Sequence, residues 1–249
     1  MTQKKKVEQK KVEGRRTPWW RIALWGLGLA VWVGVAVIAS ELLVGKILVL
    51  ILPADLLKSN VVTTVYNFLG YAASMVVTIG VPWWLLKKKT TRDELGLRGL
   101  PTWTDLLLAP AGFIVTLILG AILTLVMMAI LPQINWQQTQ NVGFHALYQF
   151  HEYILAFVCL VVLAPICEEI IFRGWLYGKL RVKMPAIPAI LIVSTLFGIM
   201  HFQWNVGVSV FAMSLGMCFM RELTGTIWSG VILHMIKNGI AFYALFVLM

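Results

Sequence analysis

Long apolar runs, separated by short polar stretches, make up most of this sequence. About 20 apolar residues in a helix are enough to cross the roughly 30 Å hydrocarbon core of a bilayer. The sequence predicts seven such spans, at about residues 22–44, 61–86, 106–131, 153 onwards, 187–202, 206–219 and 226 to the C-terminus. A further apolar piece, at 47–53, is too short to span and is expected at the outer surface. The predicted fold is therefore all-α, a polytopic membrane bundle of about seven transmembrane helices.

Charge and hydropathy agree with a chain embedded in a lipid bilayer. Only 13% of the 249 residues are charged, whereas about 25% of residues are charged in soluble domains. The mean hydropathy of +0.83 leaves no room for a large soluble domain. The net charge of +10 is spread over the polar stretches between the spans, which is typical of cytoplasmic loops. The bilayer is therefore an expected partner, and nucleic acid is not.

The distribution of lysine and arginine predicts the orientation of the chain. Basic residues are frequent in 1–17 and follow the second, fourth and sixth spans, whereas 132–152 contains no Lys or Arg. Cytoplasmic loops carry the excess of basic residues, so the N-terminus is expected to be cytoplasmic. Residues 1–17 are expected to form a disordered basic tail. The apolar run after this tail is longer than the about 7–15 residues of a signal-peptide core, so it is interpreted as a retained transmembrane helix.

Three charged residues lie at the end of an otherwise uncharged stretch, 153–167. They are Glu168, Glu169 and Arg173. Ionisable groups inside a membrane segment are costly and usually functional. Glu169 and Arg173 are four residues apart on one helix face and can neutralise each other. Glu168 is turned about 100° away and has no partner in its own helix, so it is free to act on something else.

Two further polar pairs lie on apolar helices, again at a spacing of four residues. They are Phe197 with His201 and His234 with Asn238. The Phe197 ring is expected to pack against the imidazole and orient it. Counting a rise of about 1.5 Å per residue, Glu168, His201, His234 and Asn238 all come to lie near the middle of the bilayer. The sequence therefore predicts one site built by three helices.

These side chains allow two kinds of chemistry. A carboxylate and an imidazole can activate water as a general base, while a second imidazole and an amide stabilise an oxyanion. Alternatively, Glu168, His201 and His234 can ligate zinc with one position left for water, although the His-Glu-x-x-His spacing of zinc proteases is absent. Structural interpretations also stand: a packed, hydrogen-bonded histidine, or a Glu169–Arg173 clamp between helices.

The three motifs resemble those of a known family. Glu168-Glu169-x-x-x-Arg173, Phe197-x-x-x-His201 and His234-x-x-x-Asn238, in this order, resemble the CAAX prenyl endopeptidase and bacteriocin-processing family of intramembrane proteases. The resemblance covers about 153–238. It divides the chain into the tail 1–17, N-terminal transmembrane helices and loops at 18–152, and a catalytic transmembrane core at 153–249.

The resemblance implies a role for each motif residue. Glu168 with His201 would activate water, and His234 with Asn238 would form the oxyanion hole. The supporting residues would be Glu169, Arg173 and Phe197. A metal-free glutamate mechanism without a cofactor is the preferred interpretation, with zinc as the alternative.

The function expected from the resemblance is intramembrane cleavage of a membrane-associated or lipidated peptide. The protein would be a multi-pass protein of the cell membrane, with an active-site cavity open to the cytoplasm. A non-catalytic membrane scaffold or a bacteriocin-immunity protein on the same fold is the alternative, because a fold does not prove turnover. Lys237, beside Asn238, is expected to extend to the interface, to pair with Glu169 or to line the cavity.

Overall fold

The computed structural model of the chain describes residues 17–87 and 89–248. Nearly all of the predicted basic tail lies outside these residues. The described part is all-α and contains no strand. Its seven helices are α1 (Trp19–Ile51), α2 (Asn60–Leu86), α3 (Trp103–Ile130), α4 (Phe150–Arg181), α5 (Ala186–Ile199), α6 (Trp204–Thr224) and α7 (Trp228–Phe246). The all-helical class is confirmed.

The seven helices correspond in order to the seven predicted spans, but one of them is short. Within the described chain, six helices are long and apolar enough to cross a membrane. The exception, α5, has 14 residues and is about 21 Å long, less than the hydrocarbon core needs. It ends at Ile199, before the predicted end of this span at residue 202. A turn at 200–203 follows, so His201 lies beyond the helix instead of on it.

The prediction of a separate outer piece at 47–53 is wrong. Residues 47–51 continue α1, which has 33 residues. Leu52 is extended, with φ −110° and ψ 143°, and Pro53 follows it. A proline disfavours helical conformation in the residue before it. The helix therefore continues through Glu41 and Lys46 and stops where the proline stops it.

Side-chain contacts divide the helix ends into two groups at opposite ends of the bundle. At the basic end, Lys179 pairs with Glu94 at 3.2 Å and Arg181 with Glu222 at 2.7 Å. At the other end, the amide of Asn60 donates to the carboxylate of Glu152 at 3.0 Å. The connection 131–149 lies at this second end, because Asn205, at the start of α6, donates to the Gln138 carbonyl at 2.7 Å. The basic residues and this connection thus lie on opposite sides of the bundle.

Helix α4 departs from regular α-helical geometry on both sides of the double glutamate. Val158–Leu163 and Ile170–Leu176 are π-helical, and Ala164–Glu169 between them is α-helical. Wider π-helical turns often mark functional sites, because they shift the register in which side chains face their neighbours. The two carboxylates are therefore presented from a short segment between two such shifts.

Candidate active site

One cavity of about 150 Å³ is lined by the residues singled out in the sequence. Glu168 reaches it from α4, His201 from the turn after α5, and His234 and Asn238 from α7. These residues are up to 70 positions apart in the chain, so helix packing alone brings them together. The four side chains predicted to meet do line one cavity, but two helices and a turn supply them instead of three helices.

Glu169 and Arg173 form a fully buried ion pair. Arg173 Nη1 donates to Glu169 Oε1 at 2.8 Å, and both side chains are 0% exposed. A buried charge is tolerated only when an opposite charge and hydrogen bonds compensate for its lost hydration. The sequence-derived pair, four residues apart, is thus present, and it lies just behind the cavity.

His234 lies between the two glutamates. Its Nδ1 is 3.3 Å from Glu169 Oε1, and its Nε2 is 3.9 Å from Glu168 Oε2. The second distance is too long for a hydrogen bond. Gly230, one turn earlier on α7, permits this approach, because a Cβ there would lie 2.8 Å from Glu169 Oε2. The buried pair therefore also fixes the imidazole of α7.

His201 is held by a backbone carbonyl. Its Nδ1 is 2.8 Å from the carbonyl oxygen of Phe197. A carbonyl can only accept a hydrogen bond, so Nδ1 carries the hydrogen and Nε2 of the neutral ring keeps a lone pair. In this tautomer Nε2 is the ring atom that can accept a proton.

Phe197 packs against more groups than its spacing to His201 predicts. Its ring is 5.0 Å from the His201 ring and 5.9 Å from the His234 ring. The guanidinium carbon of Arg173 lies 4.3 Å from its centroid, within the range of a cation–π interaction. Phe197 is 1% exposed and links the three motifs. Only its contact with His201 could be predicted, because the others run between helices.

Asn238 donates a hydrogen bond to a carbonyl oxygen that lacks a backbone donor within α4. In the π-helical register, the Ala164 N–H donates to the Cys159 carbonyl five residues back. The next amide in this register would donate to Leu160, but Pro165 has no N–H. Asn238 Nδ2 donates to the Leu160 carbonyl at 2.8 Å instead. One hydrogen of the amide is thereby used, and the second remains for another acceptor.

Comparison with known proteins bears on the segment that holds this cavity. Residues 150–240 match the model of the family described as type II CAAX prenyl endopeptidase Rce1-like. The match supports the CAAX prenyl endopeptidase and bacteriocin-processing family for this part of the chain. The resemblance predicted from the three motifs is thus confirmed.

A curated relative gives a second match of limited extent. The protein named "Putative membrane peptidase YdiL" of Bacillus subtilis (strain 168) is 35% identical over 77 residues. The alignment covers 31% of this chain and 32% of that protein, so the chain matches about a third of the relative. No solved structure matches the chain. Together with six apolar helices, these matches support a multi-pass membrane protein of a membrane protease family.

The three motifs do not supply the whole cavity. Asn67 and Tyr71 of α2 also line it, as do Gln140 and Val142 of the connection 131–149. The part of the chain before 153 therefore contributes to the candidate site. Asn67 and Tyr71 are polar residues four apart on an apolar helix, the same signal that marked the three motifs. Gln140 lies in an irregular connection and carried no comparable signal.

The donor groups of the cavity do not fit a zinc ion held by three protein ligands. Zinc needs its nitrogen and oxygen ligands about 2.0–2.2 Å from the metal, in tetrahedral directions. Among residues 17–87 and 89–248, no group of three His, Cys, Asp or Glu side chains is placed to hold a metal. The Nδ1 atoms of His201 and His234 face a carbonyl and Glu169, which leaves the Nε2 side of each ring open, so only the spacing of the side chains argues against a bound zinc ion. The zinc alternative therefore has no ligand set in this structure.

The cavity extends towards the end of the bundle that lacks the basic residues. Beyond Asn238 it follows α7 past Ala241 to Leu245, and Val142 of the connection 131–149 lines it as well. The basic ion pairs of Lys179 and Arg181 lie at the other end. The cavity lining thus extends away from the basic end of the bundle.

Proposed function

We propose that this protein is an intramembrane endopeptidase that hydrolyses a peptide bond in a membrane-associated or lipidated peptide. The observation that carries the proposal is the meeting of Glu168, His201, His234 and Asn238 at one cavity. Peptide hydrolysis needs water, and irregular or polar surface at membrane depth is tolerated where it lines a cavity. The family match at 150–240 supports the same reaction class.

In the proposed reaction, Glu168 and His201 hold a water molecule and accept its proton as its oxygen attacks the peptide carbonyl carbon. The carbonyl oxygen becomes an oxyanion, which the second amide hydrogen of Asn238 and the Nε2–H of His234 stabilise; because its Nδ1–H faces Glu169, the His234 ring donates from Nε2 as the imidazolium. The proton then passes to the leaving nitrogen as the C–N bond breaks, which gives a free carboxylate and a free amine. Glu169 holds the His234 ring during these steps. We propose that no metal takes part.

A non-catalytic scaffold is the second candidate, and one contact favours it. The Asn238 amide already binds the Leu160 carbonyl at 2.8 Å, as a residue that joins two helices would. The same fold can serve unrelated functions. The two candidates differ in whether a water molecule is activated, which activity measurements can decide.

The deciding experiment uses the full chain purified in detergent with a library of membrane-tethered peptides. We expect defined cleavage products from the wild type and none from Glu168→Gln, which keeps the shape of the side chain but removes the basic carboxylate. Asp55→Asn is the matched control, because Asp55 is an exposed carboxylate outside the cavity, and it should cleave normally. A metal chelator should leave the wild-type rate unchanged. Normal cleavage by Glu168→Gln would reject the proposed base.

A further inference from the structure

Lys237 is the third polar residue that α7 presents to the cavity. It lines the cavity together with Glu168, His201, His234 and Asn238 and is half-buried. A lysine in the middle of a membrane helix is costly unless it faces a partner or water. None of the three motifs includes this position, and the reaction proposed above does not use its ammonium group.

The charges around the cavity leave this ammonium without a close partner. Arg173 is neutralised by Glu169 at 2.8 Å. Within the described chain, no carboxylate oxygen lies within the 4.0 Å of an ion pair from Lys237. Pairing with Glu169, one of the three expectations for Lys237, is therefore wrong: the contacts of that carboxylate with Arg173 and His234 are both made by Oε1, and neither of its oxygens lies within 4.0 Å of Lys237. Of the three, lining the cavity is what the structure contains.

The surroundings of Lys237 are those of a binding site for an anion carried on an apolar chain. Further along the same face of α7, the cavity is lined by apolar side chains, which are those of Ala241, Phe242, Leu245 and Phe246. A peptide bound at Glu168 would continue past the Lys237 ammonium into this apolar part. Carboxylates pair strongly with ammonium groups where water is excluded.

The proposed reaction also removes the negative charge nearest to this end of the cavity. When Glu168 accepts a proton from water it becomes neutral, and its negative charge passes to the oxyanion, which His234 and Asn238 bind, so Lys237 keeps no acidic residue of its own. A carboxylate on the bound peptide would balance the charge at this stage. The requirement arises only when a substrate is bound, which suits a residue that selects substrates.

We propose that Lys237 is a specificity-determining residue that binds a carboxylate of the peptide substrate close to the scissile bond. The proposal rests on the proposed endopeptidase function. The carboxylate can come from the C-terminus of the peptide or from an aspartate or glutamate side chain near the cleaved bond. Both sources offer the same chemistry to the ammonium group, so the experiment must separate them.

The experiment compares matched forms of one peptide that the wild type cleaves. One form keeps the free C-terminus and acidic side chains, the second has a C-terminal amide, and the third has amides in place of acidic side chains. We expect wild-type kcat/KM to fall at least about 30-fold for one of the two neutralised forms, since the loss of one partner of a buried charge pair has an effect of this size. The form that falls identifies the source of the carboxylate.

Variants of Lys237 show whether its ammonium group binds this carboxylate. Lys237→Met should cleave the charged and neutralised peptides at similar rates, and Lys237→Arg should keep most of the preference. Lys46→Met is the control, because Lys46 is exposed on α1 and does not line the cavity. It should discriminate as the wild type does.

Two results would overturn the inference without touching the endopeptidase proposal. The first is a wild type that cleaves all peptide forms equally, a measurement that needs no variant. The second is Lys237→Met that slows every form by the same factor and keeps the preference, as expected if Lys237 only balances the charge of Glu168. Failure of the wild type to cleave any peptide would instead reject the proposed function, and this inference with it.

Discussion

At the scale of single residues, the two adjacent glutamates have different surroundings, so substitutions of Glu168 and Glu169 should affect the stability of the protein differently. Glu169→Gln removes the carboxylate that neutralises the buried Arg173 guanidinium, and an unpaired buried charge costs about 3–5 kcal/mol. We expect a clearly lower thermal denaturation temperature in detergent. Glu168→Gln should unfold close to the wild-type temperature, because the buried Oε2 of Glu168 has no hydrogen-bond donor within the described residues. Equal stability of Glu169→Gln and the wild type would contradict the buried-pair argument.

The sequence predicts contacts between residues on one helix better than contacts between helices. The pairing of Glu169 with Arg173 follows from a spacing of four, since this spacing places side chains on one face. Phe197 and His201 also meet, although the helix ends between them at Ile199. The position of His234 between two carboxylates does not follow from any spacing. It depends on how closely α7 approaches α4, which in turn depends on Gly230.

At the scale of helices, Pro165, Leu160 and Asn238 form a unit that joins α4 to α7. Asn238→Ala should lose about 1 kcal/mol of stability, as membrane hydrogen bonds typically contribute. In a Pro165→Ala background the loss should nearly vanish, because the substitution restores a backbone N–H at this position that can donate to the Leu160 carbonyl. A double-mutant cycle on thermal unfolding measures this coupling. Additive losses would mean that Pro165 and Asn238 act independently.

The same cycle, assayed for activity, separates an oxyanion donor from a helix clamp. Removal of an oxyanion donor lowers kcat about 10²–10³-fold, and this loss should persist in the Pro165→Ala background with KM nearly unchanged. A residue that only joins helices would lose its effect on kcat in that background. The cycle therefore separates the proposed oxyanion contact of one Asn238 amide hydrogen from the contact of the other with the Leu160 carbonyl.

The order and approximate length of the helices could be predicted from hydropathy, but their irregularities could not. The first span is predicted to end near residue 44, yet α1 continues to Ile51, because the charged residues Glu41 and Lys46 near its end do not break a helix. The π-helical segments around the double glutamate leave no periodic signal in a uniformly apolar run. Pro165 was visible in the sequence, but the carbonyl that it frees depends on that π-helical register.

At the scale of the whole molecule, the remaining question is which end of the bundle faces the cytoplasm. The basic end carries Lys179 and Arg181, and the cavity reaches the opposite end at the connection 131–149. The positive-inside rule favours a cytoplasmic basic end. We therefore propose that the cavity takes water and substrate from the other side, in place of the cytoplasmic opening expected from the resemblance.

Labelling of single cysteines with a membrane-impermeant maleimide on intact cells tests this orientation. Gln137→Cys places an exposed thiol on the connection 131–149, and Arg92→Cys places one in the loop at the basic end. The native cysteines Cys159, Cys167 and Cys218 are buried and give a low background in the unchanged protein. We expect Gln137→Cys to react on intact cells and Arg92→Cys to react only after the membrane is permeabilised. The reverse pattern would place the connection and the cavity on the cytoplasmic side, and the basic residues would then be an exception to the positive-inside rule.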